Sequence, residues 1–327
     1  MAGSKILTRL RTGVAKEEMQ PAFDRVSALV YIIAIPAFVV TAALFVSLGF
    51  SADLTLGGYY IIAFWPWLGG ILAKRVGHPR LGGAAEMIGL IYALSLTAIF
   101  ATMALSEISA PFSDGFLADA DRSLHFDWVS LARLAAPHET LIALMTAAYR
   151  SVGWQPAAVI SILFAQRHGD RARVLVAAWG IGLIISCAVY PIFTAEGPFA
   201  FYKISSQTFP NALSDDPWRF GPIISSIRDH GVRHVSEQML TGLITFPSFH
   251  AAAAVFLGWA IYPVRLVRMP IIFLNVTMLA ATLLCGSHYL IDLIAGIAVA
   301  FVSLAGAKVL YASAPIDHSE ATCSATI

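Results

Sequence analysis

The chain has 327 residues, 58% of them apolar and only 13% charged. Soluble domains carry about a quarter charged residues, so this chain has too few charges to cover a water-facing surface. Its formal net charge of +1 says nothing about a polyanionic partner, and no basic run reads as a nucleic-acid footprint. Cys187, Cys285 and Cys323 supply neither a disulfide framework nor a metal knuckle.

The opening residues, to about Gln20, are amphipathic and mixed in charge. The first apolar block begins near Arg25 and is too long for a signal-peptide core, so it reads as a retained anchor. Blocks close to the roughly 20 residues that a helix needs to cross a bilayer run over about 27–50, 57–73, 84–106, 139–164, 172–194, 245–263, 269–285 and 289–311. They predict an all-α polytopic integral membrane bundle of about eight transmembrane helices. Between the third and fourth blocks, SLHFDWVSLARLAA has the apolar spacing of a short helix lying on the interface. Residues 195–244 form a long connection rich in Pro, Gly, Ser and Asn, with a helix-like stretch ending near Gln238. Connections of that length are usually functional or disordered.

Charge alternates along the connections. Lys5, Arg9, Arg11 and Lys16 precede the first block; Lys74, Arg75 and Arg80 follow the second; Arg167, Arg171 and Arg173 follow the fourth; Arg265 and Arg268 follow the sixth. The intervening connections carry Asp53, then Asp114, Asp119, Asp121 and Asp127, then Glu196, Asp215 and Asp216. By the positive-inside rule both termini face the cytoplasm, and the two long connections lie on the extracytoplasmic side.

Two stretches, TFPSFHAA at 245–252 and GSHYLIDLIAG at 286–296, open spans on that same side. His288 and Asp292 are four residues apart and share a helix face. A carboxylate there can accept the imidazole Nδ1–H and leave Nε2 free to attack, as in hydrolase triads. An aspartate inside an apolar helix costs roughly 2.5–3.5 kcal/mol on insertion scales, and His288 is the partner that offsets it. Pro247 suits a first helical turn. Ser248 and the free N–H groups of that turn face an anion, and His250 lies within reach to protonate a leaving alkoxide. Arg150 near the middle of 139–164 is an expensive charge and so a candidate substrate ligand. Lys203 and Arg228 are further candidates, the arginine offering bidentate geometry. Two histidines and an aspartate also suit zinc, but no His-Glu-x-x-His and no fourth clustered ligand accompany them. A transporter holding an anion between Arg150 and Asp292 is a rival reading, without the repeated halves that transporters tend to show. A lipid-binding protein without turnover is another.

The pattern resembles the type 2 phosphatidic acid phosphatase superfamily of membrane lipid phosphatases and phosphotransferases, whose motifs are Lys-x6-Arg-Pro, Pro-Ser-Gly-His and Ser-Arg-x5-His-x3-Asp. The second stands here as Pro247-Ser248-Phe249-His250, and the third as His288-Tyr289-Leu290-Ile291-Asp292. The Ser-Arg pair falls at Ala281 and Thr282, and Lys203 is followed by Pro210 without the arginine. The missing arginine, His-Tyr-x-x-Asp and the Arg228-Asp229 pair resemble the inositol phosphorylceramide synthase-like branch.

The resemblance implies a six-helix core over 84–311, an N-terminal segment with two additional helices over 1–83, and a cytoplasmic tail over 312–327. It implies a phosphohistidine mechanism in which His288 attacks phosphorus, Asp292 orients it and His250 protonates the departing oxygen. Arg228 becomes the favoured phosphate ligand, beside Ser248, Arg150 and Lys203. The implied substrate is a lipid phosphate or phospholipid. Water, or an alcohol or ceramide-like acceptor, would take the group, and no metal or other cofactor is required.

Overall fold

The computed structural model describes residues 28–209 and 216–312. The basic residues before the first span, the start of that span, Pro210, Asp215, Cys323 and the tail after residue 312 lie outside the described residues.

Among the described residues, six helices are long and apolar enough to cross a membrane. They are α1 (Ala28–Ser47), α2 (Gly57–Arg75), α3 (Pro79–Ser106), α8 (Gly169–Val189), α12 (Arg265–Cys285) and α13 (Leu290–Ala312). The protein is therefore an all-α polytopic membrane bundle. The other two blocks predicted as spans take different forms. Block 139–164 is broken into α6 (Glu139–Arg150) and α7 (Gln155–Ala165) around a 3-10 turn at Ser151–Gly153. The Ser151 hydroxyl turns back to the Ala148 carbonyl. Pro156 has no N–H with which to continue the preceding helix, but it fits the first turn of a new one. Block 245–263 becomes helical only at α11 (Phe249–Ile261). Its 13 residues span about 20 Å, short of a roughly 30 Å hydrocarbon core. The non-helical Thr245 and Ser248 before it are buried in protein, the condition under which irregular backbone is tolerated at membrane depth.

The bundle core is built by α3, α7, α8, α11 and α13 around Met87, Leu175, Phe256 and Ile261. Helices α2 and α3 touch backbone to backbone, because small residues let them. A Cβ added at Gly82 would lie 2.5 Å from the Gly70 carbonyl oxygen, and one at Gly89 2.7 Å from that of Ala63. Buried Glu86 on α3 accepts from Tyr31 of α1 at 2.6 Å and pairs with Lys74 of α2 at 2.5 Å, so one carboxylate joins the first three helices.

The two long connections fold over one end of the bundle. The first contains α4 (Asp114–Ser123) and α5 (Trp128–Ala135); the second contains α9 (Pro198–Phe201) and α10 (Phe220–Arg228). Helix α10 ends at Arg228, short of the predicted Gln238, and Gly231 follows in the left-handed region at φ +67°. The chain then forms β2 (His234–Val235), which pairs in parallel with β1 (Ser51–Ala52). Aromatic contacts bind the connections together. Phe199 packs 4.8 Å from Trp128, 4.5 Å from Trp218 and 5.1 Å from Phe209, ring centre to ring centre.

Gly82→Ala is expected to destabilise the protein in detergent unfolding by about 1–3 kcal/mol, the usual range for overpacking. Gly69→Ala on α2, with nothing within 4 Å of the added carbon, is the control and should leave the transition in place.

Candidate active site

The turn between α12 and α13 carries His288. Gly286 is required there, because a Cβ would lie 2.7 Å from His288 Cδ2 and 3.0 Å from Tyr149 Cε2. Ser287 follows with φ +51° and turns the chain into α13. The Nδ1 of His288 lies 3.1 Å from Asp292 Oδ2, and the same oxygen accepts the Tyr289 N–H at 3.0 Å. Asp292 is fully buried and His288 3% exposed. With Nδ1 engaged by the carboxylate, the other ring nitrogen, Nε2, lies 3.5 Å from Ser248 Oγ, and the Thr245 backbone also reaches the ring.

Ser248 is the N-cap of α11. Its Oγ accepts the Ala251 N–H at 3.4 Å, and its own N–H donates to the Asp292 carbonyl at 3.0 Å. The approach of α11 to α13 depends on Gly296, where a Cβ would fall 2.1 Å from the Ser248 carbonyl oxygen. Two residues on, the His250 ring stacks on Tyr149 at 4.1 Å and 16°, and Tyr149 borders Gly286 in the His288 turn. The first-turn N–H groups of Phe249 and His250 point out of the helix end by geometry, with no acceptor among the described residues.

The proposed basic ligands are placed differently. Arg150 is not inside a continuous span. It is exposed at the end of α6, where the helix breaks, next to Tyr149 and within electrostatic range of Cys285, the last residue of α12. The break removes the cost expected of a mid-helix charge and leaves Arg150 exposed at the end of α6. Arg228 is engaged elsewhere: it pairs with Asp229 at 2.8 Å, donates to the Ala110 carbonyl at 2.9 Å and lies 4.4 Å over the Phe112 ring. Lys203 is exposed after α9, in the left-handed region at φ +56°.

The sequence reading missed the first connection. Asp121 accepts Leu290 N–H at Oδ2 and Ile291 N–H at Oδ1, both at 2.9 Å. Asp114 Oδ1 accepts the Tyr289 hydroxyl and the Gly197 N–H, also at 2.9 Å, and Oδ2 accepts the Glu196 N–H at 3.0 Å. Trp128 donates its indole N–H to the carbonyls of His288 at 3.1 Å and Leu283 at 3.2 Å. Burial pushes both carboxyls up from the ordinary aspartate range, and the N–H and O–H donors partly pull them back.

The structure is thus a polytopic helical membrane bundle with two histidines and a buried aspartate gathered at one end. A family model of the PAP2 superfamily matches residues 115–306, more than half of the chain, and the chain belongs to that superfamily. Membership carries phosphatase-type chemistry on lipid phosphoesters. No curated protein and no solved structure matches the chain.

Ser248→Ala removes the N-cap of α11 and is expected to lower stability by about 1 kcal/mol, while Ser248→Gly should cost only a few tenths. Equilibrium unfolding in detergent separates the two; equal losses would show that the cap contributes nothing.

Proposed function

We propose that the protein cleaves or transfers the phosphoryl or phospho-headgroup of a membrane lipid phosphate ester through a phosphohistidine on His288. The observation that carries this reading is the engagement of Nδ1 by the buried Asp292, with Nε2 left toward Ser248 and the start of α11. In that tautomer the Nε2 lone pair attacks phosphorus. The N–P bond forms as the bond to the leaving oxygen breaks, and His250 gives its proton to the departing alkoxide. Asp292 stabilises the positive charge that the imidazole gains. Water or a second alcohol then attacks the phosphorus, His250 takes its proton, and the N–P bond breaks to restore His288. The free N–H groups at the start of α11 suit the phosphoryl oxygens, because they are preorganised donors at a positive helix end.

Arg150 is the phosphate ligand that this placement favours. Its position at the α6 break, beside the Tyr149 that stacks on His250, is a better fit than that of Arg228, which Asp229 and Ala110 already occupy. Lys203 is left for a headgroup approaching from the surface. The His-Tyr-x-x-Asp spacing and the absent motif arginine support a transferase of the inositol phosphorylceramide synthase type, with a ceramide-like alcohol as acceptor. A phosphatase using water alone is the alternative.

We assign the site to the extracytoplasmic face and both termini to the cytoplasm. The support is positional: Arg171 donates to the Ala260 carbonyl at the far end of α11 from Ser248, and Arg265 opens α12 at the end opposite His288. The two helices before residue 84 are additions to a six-helix core over 84–311.

The test is phosphate release or transfer by purified protein from a panel of lipid phosphates, with chelator and several alcohol acceptors. Wild-type turnover is expected to survive chelation. His288→Ala should abolish it, and His250→Ala should slow it by about 10²–10⁴-fold, the usual contribution of a general acid. Equal rates in wild type and His288→Ala, or no turnover of any lipid phosphate, would overturn the reading. In the same assay Arg150→Ala should lower kcat/KM by at least about tenfold, and by more than Arg228→Ala does, as loss of a charged hydrogen bond worth roughly 1.5–3 kcal/mol implies.

A further inference from the structure

In the first turn of α13 the helix's own Asp292 side chain takes only one backbone N–H, that of Tyr289. Tyr289 precedes the helix, and the N–H groups of Leu290 and Ile291 are satisfied only by the carboxylate of Asp121, on α4. The Tyr289 N–H goes to Asp292 Oδ2, the same oxygen that holds His288 Nδ1. The other oxygen, Oδ1, is buried with no partner among the described residues. The nucleophile is thus fixed by a carboxylate with spare accepting capacity, one turn from two N–H groups that depend wholly on another element. From that same element, Asp114 holds the Tyr289 hydroxyl, and Trp128 at the start of α5 holds the His288 carbonyl.

We propose that Asp121, with Asp114 and Trp128, is a positioning residue of the reaction: the α4–α5 segment clamps the 288–291 turn so that the Asp292 carboxylate stays committed to His288. Without Asp121, two part-buried N–H groups lose their acceptor, and a donor left unpaired away from water is disfavoured. The nearest uncommitted acceptor is Asp292 itself. As its carboxylate swings to cap its own helix, Nδ1 of His288 loses the acceptor that fixed the tautomer. The ring can then place its proton on Nε2, with the Thr245 backbone within reach to accept it, and in that tautomer Nε2 has no lone pair for attack. The clamp itself is independent of the proposed reaction; only its effect on rate rests on that reading.

The experiment is nitrogen NMR of histidine-labelled full-length protein in detergent, with the His288 signals assigned by His288→Gln. Wild type is expected to show one His288 tautomer, protonated on Nδ1. Asp121→Ala should show a mixture or the other tautomer, and kcat should fall by about 10- to 100-fold with KM little changed, the range for a small misplacement of a reacting group. Asp119→Ala, which removes an exposed neighbour on the same helix paired with Arg122, should leave the signals as in wild type. Tyr289→Phe deletes only the hydroxyl held by Asp114 and provides a milder variant should Asp121→Ala fail to fold; it should shift the tautomer in the same direction. A folded Asp121→Ala, or failing that a folded Tyr289→Phe, with the wild-type tautomer would overturn the clamp even where His288→Ala abolishes turnover. A shifted tautomer in a protein whose wild type turns over no lipid phosphate would uphold the clamp and overturn the proposed reaction.

Discussion

Asp292 lies a turn inside an apolar helix, and the rest of the site is arranged around the need to satisfy it. An ionised carboxylate out of water carries a penalty of several kcal/mol that only good geometry and further hydrogen bonds can offset. Here one carboxylate oxygen takes both the His288 ring and the Tyr289 N–H, while the backbone carbonyl takes the Ser248 N–H. Those donors come from the α12–α13 turn and from the first residue of the α11 cap. Satisfying one aspartate therefore fixes the register between two helices. The glycines follow from the same constraint: any side chain at Gly296 would push Ser248 away, and any at Gly286 would displace the His288 ring.

The site also sets where the bundle is irregular. Helix α11 begins late, the 139–164 block breaks after Arg150, and the α12–α13 turn passes through a left-handed serine. All three interruptions meet around the same histidines. Irregular backbone is tolerated at membrane depth only where protein or a polar cavity satisfies it. Here the two long connections supply that cover, with α4 and α5 contributing hydrogen bonds and the aromatic cluster around Phe199 contributing packing. Away from the site, α2 and α3 are joined by ordinary small-residue contact and the Glu86 pairings.

Local pattern made His288 and Asp292 visible in the sequence, because four-residue spacing places them on one helix face. Ser248 was visible as a polar residue at an expected helix start, but the helix begins at Phe249, so Ser248 is its N-cap and Pro247 precedes it instead of standing in its first turn. Long apolar blocks with alternating loop charge were enough to read the membrane bundle. Asp114 and Asp121 were not visible as anything but loop acids, since their partners lie 82 to 175 positions along the chain and no local rule pairs them. Arg150 was misplaced because an apolar run reads as one helix unless the Ser151–Gly153 break is weighed against it. Arg228 was favoured from its place before the histidine motif. Its actual partners, Ala110 and Phe112, come from a connection that the motif says nothing about.

The central claim is that Asp292 fixes His288 as a nucleophile through Nε2. The most direct test is to quench the protein during turnover of a lipid labelled in its phosphate, and to determine which atom carries the label. The account predicts an acid-labile, alkali-stable phosphoramidate on Nε2 of His288, absent from His288→Ala. Label on Nδ1, on another residue, or on no residue during active turnover would contradict it.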